Sequence, residues 1–341
     1  MAVLGPGEVT LVVDERDDLH YTRAALAAHS PQGGRITVQP TPANSGPAAL
    51  AHDVLYALGK RLASGPNSPD AALDSVHLAW HAAAAWSIAA GVRHVVVIRA
   101  HLLTARRVDQ LLAWRELTGV QLTLVWHKPP VGLPSALAEV RRVRDRAQFT
   151  SVLAEPGPPP ARSLFPSTVT GITTQADAIV RLLVRPGSPQ SRSGVAGLGR
   201  SCAGATVTAQ STLPVPAQPV AAETVTGLGL LAHPLVAGAL GVVAFTAGSL
   251  GSLRWTRDLD ISGDISLIKI HEPAHHRCRL FSVPVWARAQ LDGARALHRL
   301  TPSAQESVFS QLLAKEGRCL HGHAERIPGF AALSSGSFLS P

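Results

Sequence analysis

Residues 91–127, GVRHVVVIRAHLLTARRVDQLLAWRELTGVQLTLVWH, decide the fold of the N-terminal part of the chain. Two apolar runs, 94–99 and 120–126, flank an amphipathic segment that begins after Thr104. Threonine is well suited to cap a helix, and Gly119 is well placed to end one. A strand, a helix and a second strand in this order predict one βαβ step of a buried parallel sheet.

The segments before this stretch follow the same alternation. Residues 8–13 and 35–38 are apolar runs that predict further buried strands, and a helical pattern follows each of them. Asp17 or Asp18 could cap the first of these helices. Residues 1–150 are therefore predicted to form an α/β domain in three layers, with helices on both faces of a parallel sheet.

Residues 98–103, IRAHLL, resemble the Walker B to sensor region of AAA-type P-loop ATPases, especially those that assist DNA transposition. In that family an acidic pair follows the strand and precedes a turn similar to His-Leu-Leu. Here Arg99 and Ala100 stand where the family carries Asp and Glu. The resemblance implies a P-loop-like fold, and the loss of the acids predicts that hydrolysis is lost.

The residues at the position of the phosphate-binding loop also differ from the P-loop pattern. A P-loop protein carries GxxxxGK[ST] after its first strand, because glycine amides wrap the phosphates and the lysine reaches them. Residues 12–29 read VVDERDDLHYTRAALAAH instead, with carboxylates at Asp14, Glu15, Asp17 and Asp18. These acids would repel a polyphosphate, so we expect no nucleotide cofactor. We interpret them as a solvated, acid-capped helix start; a bound metal ion or a basic partner is the alternative.

Charge and composition permit, but do not require, an anionic partner. The chain has 31 basic and 23 acidic residues, a formal net charge of +8, and three cysteines that make no disulfide framework. Without a recognisable signal peptide, a bacterial cytoplasm is the expected location. Four arginines cluster on a helix predicted over 135–148. The arginines proposed to contact duplex DNA are Arg141, Arg142, Arg144, Arg146, Arg254, Arg277, Arg279 and Arg326. A bland basic surface is the alternative.

Composition changes after the first domain. Residues 151–222 are rich in Pro, Ser, Thr and Gly and are predicted to form a linker that cannot bury enough apolar surface to order itself. The thirty residues 224–253 carry no formal charge, which is long enough to cross a membrane. Their six glycines and modest hydrophobicity favour two buried helices that meet near 246–251.

Residues 233–297 resemble the catalytic domain of tyrosine recombinases, the phage-type integrases. The resemblance is carried by the sequence Leu253-Arg254-Trp255, by Asp258 to Asp260, and by two strands that pair before a helix opened by Pro284. The predicted strands are 267–271 and 279–283. A mainly helical domain with a small β-hairpin is therefore expected over 223–330, followed by a tail over 331–341.

Catalytic residues of that family are missing from this sequence. The turn FTAGSLGS, 245–252, has no arginine, and no tyrosine follows Tyr56 to serve as the nucleophile. His323 and Arg326 keep an HxxR spacing, but Ile327 replaces the histidine that usually follows. Histidines stand where the hairpin lysine is expected. The metal ligands suggested by Cys/His content are His275, Cys278, Cys319 and His323, with loose polar loop residues as the alternative.

The sequence thus predicts a catalytically inactive accessory protein of a DNA transaction, derived from a mobile element, that binds DNA or a protein such as an integrase or transposase. The absent catalytic residues argue against an enzyme. A divergent ATP-binding NTPase is one alternative, and a scaffold anchored in a membrane through 224–253 is another.

Overall fold

A computed structural model describes the greater part of the 341-residue chain. The described residues are 8–42, 46–63, 70–154, 213–272, 277–301, 307–315 and 317–330. They divide into two units. The first holds the described residues up to 154 with 229–234 and 299–301, and the second holds the others. Most of the predicted linker, residues 155–212, lies outside the described residues.

Five parallel strands form the sheet of the first unit. The strands are β1 (Val9–Val13), β2 (Arg35–Val38), β3 (His94–Val97), β4 (Gln121–Trp126) and β5 (Arg141–Val143). Their order is β2-β3-β4-β1-β5, and each neighbouring pair is parallel. The predicted α/β class with a parallel sheet is confirmed.

Helices cover both faces of this sheet. They are α1 (Leu19–Ala27), α2 (Ala49–Ala57), α3 (Val76–Ala89), α4 (Ala105–Thr118) and α5 (Arg146–Ala154). Helices α1 and α5 share one apolar cluster with the sheet, in which Tyr21 and Phe149 lie near Val125. Helix α3 packs against both α2 and α4. Because they connect strands in the opposite direction along the sheet, right-handed crossovers place them on the other face.

The stretch 91–127 forms the β3-α4-β4 step of the sheet. Thr104 caps α4 by accepting a hydrogen bond from the Arg107 amide at 3.4 Å. Gly119 ends the helix with a φ of 69°, a left-handed conformation that glycine adopts without strain. Both predicted helix boundaries are confirmed. A short 3-10 turn, Ala100–Leu102, lies between β3 and α4.

The prediction of a helix over 135–148 is wrong. The chain forms a 3-10 turn at Ser135–Leu137, the short strand β5, and then α5. Strand β5 pairs with β1, and Val143 is buried beside Val12. A three-residue strand with two arginines has no apolar alternation, so its pairing depends on β1 rather than on a local pattern.

Residues 229–234 pack as part of the first unit. The Arg61 amide donates to Leu230 O at 2.7 Å, and Trp86 Nε1 donates to Ala232 O at 2.7 Å. Lys60 Nζ donates to Gly229 O at 2.8 Å and lies 3.3 Å from the centroid of the Trp86 ring. An ammonium group is thus enclosed between a carbonyl and an indole. Burial lowers the pKa of Lys60 to about 7.

The second unit combines helices with an antiparallel hairpin. The helices are α6 (Ala222–Leu230), α7 (Pro234–Thr246), α8 (Leu250–Leu253), α9 (Val285–Leu300), α10 (Ser310–Lys315) and α11 (Gly317–Arg326), of which α6 and α9 end in the first unit. Strands β6 (Leu267–Glu272) and β7 (Arg277–Ser282) form the hairpin. Val215, near the end of the predicted linker, adds a parallel bridge to Phe281. The predicted hairpin is confirmed, with boundaries shifted by up to two residues.

The uncharged stretch 224–253 folds as separate short helices. Helix α6 has nine residues and α7 has thirteen, with a break at 231–233, and α8 follows the end of α7 at Thr246. Across the described ranges, no helix combines the length and apolar character needed to cross a membrane. Of the two buried helices predicted to meet near 246–251, the structure has one, α7, which ends at Thr246; α8 has only four residues and is mostly not buried, and the break at 231–233 was not predicted.

Candidate functional site

The carboxyl ends of β1 and β4 bring Asp14 and His127 together. Val13 is in register with Trp126, so the residues that follow them are neighbours. His127 Nδ1 donates to Asp14 Oδ2 at 2.7 Å. The exposed fractions of the two side chains are 0% for His127 and 3% for Asp14. The chain leaves β1 toward β2 and leaves β4 toward β5, and ligands of open α/β sheets bind at such a switch point.

The loop after β1 folds over this pair. Asp17 has a φ of 50°, unusual for a residue other than glycine, and its Oδ1 lies 3.2 Å from His127 Nδ1. The Asp18 amide donates to Asp14 Oδ2 at 2.7 Å. Asp18 caps α1 by accepting a hydrogen bond from the His20 amide at 2.9 Å. The cap predicted at Asp17 or Asp18 is therefore confirmed at Asp18.

Asp18 also pairs with Arg146 at the start of α5. Arg146 Nε donates to Asp18 Oδ2 at 2.9 Å, and Nη2 contacts the same oxygen. The hydrogen bond from the His20 amide and those from Arg146 lower the pKa of Asp18 below its ordinary value. The carboxylate is anionic at neutral pH and already covers an amide at the start of α1.

Arg99 and His101, which follow β3, lie at the same edge of the sheet. Arg99 follows β3 with a φ of 55°, and the ring of His101 lies 6.1 Å from that of His127. Burial, and after it the charges of Lys128, His127 and Arg99, lower the pKa of His101. His101 is therefore neutral near pH 7.

This edge of the sheet is suited to a cation. Asp14, Asp17 and His127 offer two oxygens and one nitrogen that lie within 4.8 Å of one another. Carboxylate and imidazole are common ligands of divalent metal ions. A phosphate at the same place would meet the two carboxylates of Asp14 and Asp17, and like charges 4 Å apart near a protein surface repel by about 4 kcal/mol.

Comparisons with models of protein families, with curated proteins and with solved structures each found no match.

Three of the arginines predicted to contact DNA lie along one edge of the sheet. Arg141, Arg142 and Arg144 are exposed on or beside β5, the last strand in the sheet order. Arg141 Nη1 lies 3.5 Å from Glu8, and Arg142 Nη2 donates to Ala138 O at 3.0 Å. Both contacts leave the guanidinium groups exposed to solvent. Arg146, by contrast, is engaged by Asp18.

The other predicted arginines belong to the second unit. Arg254 is exposed after α8, and Arg326 is exposed at the end of α11. Arg279 lies on β7, with its guanidinium carbon 4.8 Å from the centroid of the Phe281 ring. The side chain of Arg277 lies outside the described residues. These positions are not brought together with the β5 arginines within a single unit.

Of the predicted metal ligands, only two have described side chains. Cys278 Sγ lies 3.1 Å from Nδ1 of His271 across the hairpin, and His323 is buried on α11. His275 and the side chain of Cys319 lie outside the described residues. The proposed zinc site stays a prediction.

Two side-chain pairings were missed by reasoning from the sequence. The sequence contains a signal for Asp14 and His127, because each is the first polar residue after a buried strand. Their contact, however, requires that β1 and β4 be neighbours in the sheet. The contact between Asp260 and His271, at 3.1 Å, had no such signal because a turn and a strand approach each other there.

Proposed function

We propose that this chain is a P-loop-like protein that does not hydrolyse nucleotides and acts as an accessory factor in a DNA transaction. One observation carries the proposal: the place after β1 where a phosphate-binding loop would stand is occupied by Asp14, Asp17 and Asp18. The sheet order supports the ancestry that the sequence suggests. The resemblance assigns the phosphate loop to the end of β1 and the acidic pair to the end of β3, and β4 lies between these strands.

The start of α1 is closed to phosphate for two reasons. A helix N-terminus binds anions through its unpaired amides and its dipole. Here the Asp18 carboxylate accepts the His20 amide, and Arg146 neutralises that carboxylate. The second carboxylate, Asp14, is itself buried and is held by His127. The loop is folded around the carboxylates of Asp14 and Asp18, so a phosphate has no place to bind there.

The competing function is that of a divergent NTPase, and nucleotide-dependent stabilisation distinguishes the two. We expect no change in Tm when ATP, ADP or GTP is added with Mg²⁺, compared with Mg²⁺ alone. A ligand at one hundred times its Kd would stabilise the folded state by about 2.7 kcal/mol, which raises Tm by several degrees. Such a rise with ATP but not with Mg²⁺ would support the NTPase.

The proposed DNA contact lies along β5. Arg141, Arg142 and Arg144 are exposed at a sheet edge, and Glu8 lies 3.5 Å from Arg141. Exposed guanidinium groups can contact phosphates and displace their counterions. The exposed Arg254 beside Trp255 is a second basic site, in the other unit.

Duplex DNA binding should depend on salt and on this edge. Replacing Arg141, Arg142 and Arg144 with glutamine should weaken binding and lower the slope of log K against log salt by about 3, because three phosphate contacts are lost. Fluorescence anisotropy with a labelled duplex between about 50 and 200 mM salt measures both quantities.

A matched triple variant controls for net charge. Arg16, Arg23 and Arg106 are exposed elsewhere in the same unit, and their replacement with glutamine removes the same charge. If the two triple variants lose the same affinity, the β5 edge is not the DNA site. If the wild type shows no salt-dependent binding to duplex DNA, DNA binding is excluded. The proposed partner is then a protein, an integrase or transposase.

A further inference from the structure

Asp14, Asp17 and His127 bring three ligand atoms within 4.8 Å of one another at the carboxyl edge of the sheet. His127 Nδ1 lies 2.7 Å from Asp14 Oδ2 and 3.2 Å from Asp17 Oδ1. Metal–ligand bonds of about 2.1 Å place neighbouring ligand atoms about 3 Å apart when the bonds meet at right angles. The two distances lie on either side of that value, so one ion can reach all three atoms after small shifts.

Hydrogen bonds within the chain account for only one of the two carboxylates. Nδ1 of an imidazole carries at most one proton, and Asp14 accepts it. Asp17 Oδ1 contacts the same nitrogen without a proton of its own. Among the described residues, no lysine or arginine pairs with Asp14 or Asp17. Because a buried charge in a protein is normally paired or bound to a metal ion, the position of Asp14 favours an external cation.

The ring of His127 and the rings next to it hold polar atoms that lack partners. His127 is directed at the two carboxylates through Nδ1, its side chain is 0% exposed, and its Nε2 has no hydrogen-bond partner in the described residues. His101 Nδ1 and Trp126 Nε1 lack partners there as well, and the His101 ring lies 6.1 Å from that of His127 and 6.4 Å from that of Trp126. Such atoms are usually satisfied by an ion or by ordered water.

The loop after β1 holds the carboxylates in place. Asp14 Oδ2 accepts the Asp18 amide at 2.7 Å, and Asp18 is itself fixed by Arg146. Ligating carboxylates in metal sites are commonly oriented by hydrogen bonds of this kind. The left-handed φ of 50° at Asp17 keeps its carboxylate beside His127.

We propose that Asp14, Asp17 and His127 bind one divalent transition-metal ion at the edge between β1 and β4. This inference does not rest on the proposed DNA function, because the arginines of β5 take no part in it. It also requires no nucleotide.

The donor set selects the class of ion. Carboxylate oxygens suit Mg²⁺, Ca²⁺ and Mn²⁺, whereas imidazole suits Zn²⁺, Cu²⁺, Fe²⁺ and Ni²⁺. Mg²⁺ and Ca²⁺ bind almost entirely through oxygen, so the nitrogen of His127 favours a transition metal. Three ligands from the protein leave the other positions of a six-coordinate ion to water, which can reach the unpartnered ring nitrogens.

Titration with Mn²⁺ alone, followed by electron paramagnetic resonance, tests the proposal. The six-line signal of hydrated Mn²⁺ weakens when the ion binds to a protein, so the titration gives both stoichiometry and Kd. Mn²⁺ prefers oxygen ligands to thiolate, which separates this site from the one predicted at His275, Cys278, Cys319 and His323. We expect one Mn²⁺ per chain, and pulsed measurements should detect coupling of the ion to a ligand ¹⁴N nucleus.

The variant Asp17→Asn identifies the site. Asp17 is 54% exposed, and asparagine also tolerates the left-handed conformation, so this variant should fold. Its affinity for Mn²⁺ should fall by more than about tenfold, because loss of an outer-shell partner alone costs ten- to a hundredfold. Glu15→Gln removes the same charge from an exposed position in the same loop and should leave the Kd unchanged.

Three results would overturn the proposal. The first is the absence of saturable Mn²⁺ binding up to about 1 mM, the limit of weak functional cation sites. The second is an equal loss of affinity in Asp17→Asn and Glu15→Gln, which would mean that the ion responds only to the net charge of the loop. The third is bound Mn²⁺ without ¹⁴N coupling, which would exclude His127 as a ligand.

Discussion

Replacing Lys60 with methionine should alter how the stability of the protein depends on pH. Relative to the variant, the wild type should gain about 3 kcal/mol between about pH 6 and pH 9.5. The reason is the enclosed position of the ammonium group between Gly229 O and the Trp86 ring. A fall in pKa from 10.5 to about 7 corresponds to about 5 kcal/mol, and the partial exposure of the side chain reduces this.

The sign follows from proton binding. Below pH 7 the amine is charged in both states, and folding carries the full cost of burying it. Between about pH 7 and 10.5 the unfolded chain keeps its proton while the folded chain loses it. The unfolded state then binds more protons, so the free energy of unfolding rises with pH. Methionine has no proton to exchange and shows no such rise.

Urea unfolding followed by tryptophan fluorescence measures the difference at each pH. Lys128→Met is the matched control, since Lys128 is exposed in the same unit. Its stability should stay parallel to that of the wild type. If the Lys60 variant also runs parallel to the wild type, the ammonium group is hydrated and the packing described for residues 229–234 is incorrect.

Replacing Gly238 with alanine should destabilise the second unit by about 1 to 3 kcal/mol. A Cβ at Gly238 on α7 would fall 2.5 Å from the Cβ of Ala294 on α9 and 3.2 Å from Gln290 O. Real Cβ atoms do not approach one another so closely, so α7 and α9 would have to move apart. This cost exceeds the gain of nearly 1 kcal/mol that alanine brings to a helix.

Gly241→Ala provides the comparison on the same helix. The nearest atom to a Cβ at Gly241 is Gln290 Cβ at 3.9 Å, an ordinary contact, so this variant should be as stable as the wild type or more so. Thermal unfolding of both variants gives the answer. Equal stabilities of the two variants would mean that α7 and α9 do not pack closely at Gly238.

Much of the sheet is predictable from local pattern, because buried parallel strands are continuous apolar runs. Strand β2 coincides with its predicted range, and the boundaries of α4 follow from Thr104 and Gly119. Strand β5 was not predictable, since RRV lacks an apolar pattern and becomes a strand by pairing with β1. Local rules failed where a distant partner supplied the hydrogen bonds.

The candidate sites show the same division. The acids after β1 are visible in the sequence, but their pairing with His127 requires the order of β1 and β4. Cys278 was recognisable in the sequence as a candidate metal ligand, but its position opposite His271 follows from the register of β6 and β7. Their contact with Asp260 depends on the approach of a turn to β6, which no spacing reveals.

The two candidate sites hold different groups. In the first unit, the edge between β1 and β4 has the position of a ligand site but carries anions where phosphate would bind. In the second, the β6–β7 hairpin holds the thiol of Cys278 3.1 Å from the imidazole of His271. A chain of this kind is expected to bind partners through its surface rather than to turn over a nucleotide.

The central claim is that the carboxylates after β1 exclude nucleotide, and an equilibrium titration with a fluorescent ATP analogue in the presence of Mg²⁺ tests it most directly. We expect no saturable binding to the wild-type chain up to about 1 mM, the upper end of ordinary substrate affinities. Saturable binding below that concentration, displaced by unlabelled ATP, would contradict the claim and support the alternative function of a divergent NTPase.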